Sequence, residues 1–501
     1  MHSPSIWAGL LGCVGLASGC LLPEEREGLP RIVSRAAALD NGTPIGTGDR
    51  FSGGSVAPQG LGTRASSTSF STILSTAEIK SGFDGLANAY GLETFTTPYK
   101  TYGGATIFGG KVGGTGTCDK AYRVYFNGGI HARERGSSDG VLYFISDLLY
   151  ANKTGAGLTY GSKSYTNAQV KTALAAGIVF VPLSNPDGVA YDQSSNSCWR
   201  KNRNPASSTG SASSIGVDLN RNFDFLWDFT KKFASNVQSS VASTSPSSET
   251  YHGSSFPALL HSSHPFPQIL LTSHQEQRHS PSLRHSLSSG SWIRTPLSVG
   301  LSTCTRMLET CFTAGEATQT RTSTATSTSL TPPTTDTTRK WFLHPIKFPS
   351  SLADVPKTSH IGICRRVLTF PSRGVLTDTP GSGRAYGEYT PSAEQTANVQ
   401  AADRMASAMS TSRGRSYTSM QAAALYPTSG ASDDYSYSRH FANPSLNLVH
   451  GYTVEFGFGN SAASCPFYPT VAQYNTNLRE VGAGFMEFLL AATDLGLGGG
   501  C

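Results

Sequence analysis

The run Gly177-Ile178-Val179-Phe180-Val181-Pro182-Leu183 carries no polar face at all. A strand that is apolar at every position must be covered on both sides, which puts it at the centre of a sheet with helices on either face. A helical stretch, Val170 to Ala176, leads into it. A second apolar run, Val124 to Ile130, overlaps a strand at Arg123–Phe126 and is followed by helical spacing over Gly140 to Tyr150, where Val141, Phe144, Ile145, Leu148 and Leu149 share a face. The spacing predicts further helices from Ser75 or Thr76 to about Ala89, over Ala393–Ser410 and over Leu478–Leu490, and strands at Ala105–Phe108 and Gly451–Phe456. Helices alternating with buried strands predict an α/β protein with a mostly parallel or mixed sheet.

The charge balance, 39 Lys and Arg against 33 Asp and Glu, is mildly basic. The cations are scattered rather than gathered with aromatics, so nucleic acid is not an expected partner. Near the N-terminus, Ile6 to Leu16 forms a short apolar core followed by Ala17-Ser18-Gly19-Cys20. It reads as a secretory signal over 1–19, and no later segment is apolar and long enough to span a membrane. Secretion permits disulfides. Outside the signal, Cys118, Cys198, Cys465 and Cys501 lie in ordinary sequence, and their connectivity is open. Asn41-Gly42-Thr43 and Asn152-Lys153-Thr154 are glycosylation sequons that agree with export.

Residues 20–70 are rich in Gly, Ser, Pro and charge, and read as a short pro-segment or disordered leader. The first ordered part then covers 71–255 and the second 372–492, with a tail at 493–501. Between them, residues 256–371 hold seven of the twelve histidines, many Ser, Thr and Pro, and few acids. Such composition suits a mucin-like or disordered insert, but an insert of that length inside one compact domain is unusual.

His131-Ala132-Arg133-Glu134 directly follows the apolar run ending at Ile130. An imidazole and a carboxylate three residues apart at a strand end can turn to one point, which suits two ligands of a zinc ion with open positions for water and substrate. Later come Asn185-Pro186-Asp187-Gly188, Trp199-Arg200-Lys201-Asn202-Arg203-Asn204-Pro205 and Gly216-Val217-Asp218-Leu219-Asn220-Arg221-Asn222-Phe223. Leu425-Tyr426-Pro427-Thr428-Ser429-Gly430-Ala431-Ser432-Asp433-Asp434-Tyr435 and Tyr452-Thr453-Val454-Glu455-Phe456-Gly457 complete the set. In this order, across residues from about 75 to 490, the motifs resemble the zinc carboxypeptidases of the carboxypeptidase A/B type.

The resemblance implies an eight-stranded mixed, mostly parallel sheet flanked by helices, and a secreted monomer that cleaves single residues from peptide or protein C-termini. It implies one zinc ion per chain, held by His131 and Glu134 together with a third ligand. Glu455 matches the family's general base and acid, and Arg200 the arginine that steadies the developing oxyanion. Asn220 and Arg221 match the pair that binds the substrate's free carboxylate, for which a planar guanidinium is well shaped. Tyr426 matches the tyrosine that closes over the terminal residue, and Arg133 a secondary substrate contact. The bottom of the specificity pocket falls on Asp433, where a carboxylate favours Lys or Arg ends. In the alternative, Asp433 faces solvent and Asp434 is the structural acid of the pattern.

The family's third ligand is a histidine in a context like Asp-Ile/Val-His-Ser/Ala-Tyr, due between His252 and Arg373, and no such phrase is written there. Shifting the reading frame over Ser298 to Gly315, so that each codon's third base joins the next codon's first two, permits Arg-Trp-Phe-Val-Asp-Val-His-Ala-Tyr-Ala-Gly-Asp-Val-Leu-Tyr-Ser-Trp. Histidine then arises where Cys304 and Thr305 stand. The expectation is that 256–371 is an out-of-frame or mis-spliced stretch between correctly read parts. Two rivals stay open: a catalytically impaired peptide-binding relative that lacks the third ligand, and an extracellular scaffold with a glycosylated stalk.

Overall fold

The computed structural model describes residues 40–115, 121–205, 210, 212, 215–223, 299–300, 366–370, 392–422, 428–442 and 447–497. Of the two units into which the chain divides, the smaller, 1–16 and 309–363, lies outside these residues. So do the expected signal, Cys118, Cys501 and Tyr426.

The apolar run at 177–183 forms strand β6 (Ile178–Val181), and it is central. Strands β1 (Glu93–Lys100), β2 (Thr106–Val112), β3 (Val124–Asn127) and β7 (Val299–Gly300) complete a five-stranded sheet in the order β1-β2-β6-β3-β7. β6 pairs antiparallel with β2 and parallel with β3, with Val124 opposite Ile178 and Asn127 opposite Val181. Ile178 and Phe180 join the main core, while Val179 and Val181 pack with Ile107 and Tyr125 on the other face. Both faces are therefore covered, which is why the run needs no polar positions. A second sheet orders β10 (Thr453–Val454), β8 (Arg366–Phe370) and β9 (Tyr417–Gln421), and β4 (Leu158–Tyr160) pairs with β5 (Lys163–Tyr165) as a hairpin. Across the two larger sheets, β3–β6, β3–β7 and β8–β9 are parallel, and β1–β2, β2–β6 and β8–β10 are antiparallel. The fold is a mixed sheet architecture flanked by helices. Two strands, β7 and β8, fall within the compositionally odd stretch 256–371.

The helices are α1 (Thr76–Tyr90), α2 (Ser137–Thr154), α3 (Asn167–Ala175), α4 (Pro186–Ser195), α5 (Ser392–Arg413), α6 (Ser432–Ala442) and α7 (Val471–Asp494). Ser75 caps α1 by a reciprocal box with Glu78, as the Ser-x-x-Glu pattern requires. α7 is buried along its length, and its Phe485 stacks on Phe126 of β3 with ring centroids 4.7 Å apart. It lies so close to α5 that a Cβ on Gly484 would stand 2.7 Å from Met409 Cγ.

The described part of the expected leader, from Asp40, packs in the same core as the helices. Phe51, Leu61, Ile73 and Leu74 are buried there. Asp147 of α2 accepts from the Gly62 N–H and the Thr63 hydroxyl, each at 2.8 Å. Among the described residues, no helix is long and apolar enough to cross a membrane.

Candidate active site

β3 ends at Asn127, and Gly128-Gly129-Ile130 carries the chain out of the sheet to His131. Gly129 has φ +65°, and a Cβ there would meet Ser138 Oγ at 2.6 Å, so the turn needs glycine. β6 ends beside it, and the Ser184 and Asn185 N–H groups donate to Gly128 and Gly129 carbonyls, each at 3.0 Å. The carboxyl ends of two neighbouring parallel strands thus open at one place, the usual position of a site in an α/β sheet.

His131 and Glu134 meet there with their side chains fully buried, Nδ1 lying 2.7 Å from Oε1. Glu134 Oε2 is buried without a hydrogen-bond partner. A buried carboxylate oxygen left in this state marks a place where a cation would be satisfied. On the far side of the ring, His131 Nε2 lies 3.1 Å from Asp218 Oδ1. Both neighbours of the ring are carboxylates that only accept, so a cation on the Nδ1 side would place the ring's proton on Nε2, facing Asp218. Asp218 also accepts from Arg200 Nε at 2.7 Å, and Arg200 Nη1 stands 3.6 Å from Glu134 Oε1. Burial opposes ionisation of Asp218, but Arg200 and then His131 outweigh it and hold the carboxyl well below the ordinary range. Asp218 is a member of the site that motif reading passed over, although it stands two residues before Asn220.

These residues fit a metal in part. His131 and Glu134 offer a nitrogen and a carboxylate facing one point, as zinc requires. Among the described residues, no group of three or more His, Cys, Asp or Glu is placed to hold a metal ion.

Asn220 and Arg221, the pair expected to bind a substrate carboxylate, sit beside this point. Asp218 caps a short turn, Leu219–Arg221, by accepting the Asn220 N–H. Asn220 Oδ1 accepts the Ser432 N–H at 2.9 Å, which ties that turn to the start of α6. Asp433, the next residue, is 4 % exposed. Burial raises its carboxyl above the ordinary value, partly offset by backbone N–H groups, Arg221 and the Thr453 side chain of β10. Glu455 follows β10 directly and is half-buried. Direct hydrogen bonds and ion pairs therefore link His131, Glu134, Arg200 and Asn220, with Asp218 between them, and Arg221 acts on Asp433 by charge. Arg133 is buried, its guanidinium 4.3 Å from the Phe467 ring and its Nη1 directed at the Cys198 carbonyl. Cys198 is bonded to Cys465, which resolves one pairing that spacing left open.

Residues 93–282 match the family model described as zinc carboxypeptidase. The metallocarboxypeptidase A-like protein of Trichophyton verrucosum (strain HKI 0517) is 30 % identical over 159 residues, 32 % of this chain and 31 % of that protein. Carboxypeptidase A2 of Rattus norvegicus is 33 % identical over 130 residues, 26 % of this chain and 25 % of that protein. The chain thus spans about a third or less of the length of these relatives. The solved carboxypeptidase A from Helicoverpa armigera aligns with a TM-score of 0.47 and 17 % identity, covering 84 % of this chain and 75 % of that one. Over residues 93–282, this chain is similar to the zinc carboxypeptidases.

Proposed function

We propose that the protein is a secreted zinc metallocarboxypeptidase that hydrolyses the last peptide bond of its substrates and favours Lys or Arg ends. The observation that carries this is the buried His131–Glu134 pair, oriented by Asp218 and faced by Arg200. His131 and Glu134 would hold one zinc ion, which when bound polarises the scissile carbonyl and makes an attacking water more acidic. Asn220 and Arg221 bind the terminal carboxylate, Tyr426 closes over the last residue and Arg133 contacts the substrate further back. Asp433 receives a basic side chain, and the Arg221 charge favours the ionised carboxylate against the cost of burial. Glu455 takes the water's proton and delivers it to the leaving amine, and Arg200 donates hydrogen bonds to the developing oxyanion. The Cys198–Cys465 bond agrees with an oxidising, extracellular setting.

The finer fold reading is one mixed sheet of eight strands. The two larger sheets together have eight, and β7 lies next to β10. A parallel join there gives parallel pairs the majority.

The third ligand is assigned to the alternate frame. In the β3–β7 register Gly300 stands opposite Asn127. In a frame-restored chain the new histidine, at positions 304–305, follows the last residue of β7 by four or five positions, as His131 follows the last residue of β3 by four. Residues 256–371 are on this reading a frame error between correctly read parts.

Expression of this chain beside a frame-restored version tests both claims, with zinc content and release of C-terminal Arg or Leu as readouts. The restored protein is expected to bind zinc and release Arg faster than Leu. No activity in the restored protein favours a peptide-binding relative, and full activity in the chain as written refutes the frame assignment.

A further inference from the structure

Arg135 follows Glu134 directly and is 4 % exposed. Its Nε and Nη2 donate to Asp192 Oδ2, each at 3.1 Å, and Nη2 also reaches the Asp192 carbonyl at 3.1 Å and Asn196 Oδ1 at 2.8 Å. Its guanidinium lies 3.4 Å from the centroid of the Tyr468 ring. The Tyr468 hydroxyl donates to Asp192 Oδ1 at 2.7 Å and accepts the Cys198 N–H at 2.9 Å. Asp192 Oδ1 also accepts the Trp199 N–H at 2.8 Å. One fully buried carboxylate is therefore shared between the residue after Glu134 and the backbone just before Arg200. That backbone is held in an uncommon shape, since Cys198 has φ +59° without being glycine. The Arg200 carbonyl in turn accepts the Ala132 N–H at 3.1 Å, which closes the circuit onto the His131–Glu134 turn.

We propose that Arg135, Asp192 and Tyr468 are positioning residues that fix Glu134 and Arg200 relative to each other. The proposal rests on the metallocarboxypeptidase reading for its purpose, but not for its test. Stability alone does not account for the arrangement. A buried ion pair is often replaced by apolar groups of similar volume with no loss of stability, whereas breaking it from one side is costly. What an apolar pair cannot supply is a fixed direction for each hydrogen bond.

The discriminating protein is the double variant Arg135→Met with Asp192→Leu, made in the full chain. Each single variant is expected to melt lower than the parent, and the double variant to recover most of that loss. Positioning is read separately, from amide hydrogen exchange over His131–Gly136 and Trp199–Lys201 without metal, and from zinc affinity by chelator competition. In the double variant, exchange at these segments should rise about tenfold or more, and zinc affinity should fall about 10- to 100-fold. Parental exchange and zinc affinity in a double variant that melts like the parent would overturn the proposal. If the double variant does not fold, Tyr468→Phe removes only the shared hydroxyl. It should speed exchange at Trp199–Lys201, and unchanged exchange there also overturns the proposal. A parent chain that binds no zinc counts against the functional reading, while the exchange comparison still decides the role of Arg135.

Discussion

With zinc on its Nδ1 side, His131 would donate from Nε2 to one oxygen of Asp218, whose other oxygen accepts from Arg200 Nε. Both partners are donors, so an amide in its place satisfies one of them and turns its own N–H₂ toward the second. Asp218→Asn should therefore leave His131 free to take the other tautomer and lower zinc affinity by about 10- to 100-fold. Chelator competition measures this, and an unchanged affinity would show that the ring is oriented by something else. The proposed preference for Lys or Arg ends is tested at Asp433. On that proposal its buried carboxylate would give a basic side chain a counterion that an apolar one cannot use. Asp433→Leu should cut kcat/KM for a C-terminal Arg peptide on the order of a hundredfold while sparing a C-terminal Leu peptide. Equal losses on both peptides would point to a structural role for Asp433.

Among the elements, α1 is the clearest case of local sequence fixing a boundary. The Ser75 side chain accepts the Glu78 N–H at 3.2 Å, and Glu78 Oε2 accepts the Ser75 N–H at 3.0 Å. Ser75→Ala should cost about 1 kcal/mol, measurable by denaturant midpoint at constant slope. Helices and strands with an apolar stripe or a continuous apolar run were legible for the same reason, since burial dictates their spacing. β1 was not, because Glu93–Lys100 is a half-exposed edge strand with Pro98 in it, a pattern that argues against a central strand. α4 reads as a turn motif, and only its Asn185 cap and Pro186 at the first position signal a helix. In the site, charged motifs stood out while Asp192 and Tyr468 did not. Their importance comes from being shared between Arg135 and the Cys198–Arg200 backbone, and sequence spacing carries no trace of that.

For the molecule as a whole, buried carboxylates set the dependence of stability on pH. Burial pushes Asp139 and Asp147 of α2 up to about 6 from 3.8, against hydrogen bonds from Tyr474 and Leu74 to the first and from Gly62, Thr63 and Tyr160 to the second. Between those two values the folded chain keeps protons that the unfolded chain has released, so stability declines as pH rises through the window. Asp192 and Asp433, also raised by burial, act in the same direction. His450 opposes them, since burial lowers it to about 4 from 6.5 and its single proton is bound more tightly in the unfolded chain. Asp218 works below this range, because its depressed carboxyl stabilises the fold above 3.8 and loses that contribution as acid protonates it. Stability should therefore peak between about pH 4 and 5 and fall toward neutrality, by a few kcal/mol at most for Asp139 and Asp147 together. Calorimetry at constant ionic strength checks this: the melting temperature should be higher at about pH 5 than at about pH 7. The double variant Asp139→Asn with Asp147→Asn should flatten the difference. A parent protein that melts higher at neutral pH would mean that these carboxylates stay ionised in the folded core, with their hydrogen bonds outweighing the cost of burial.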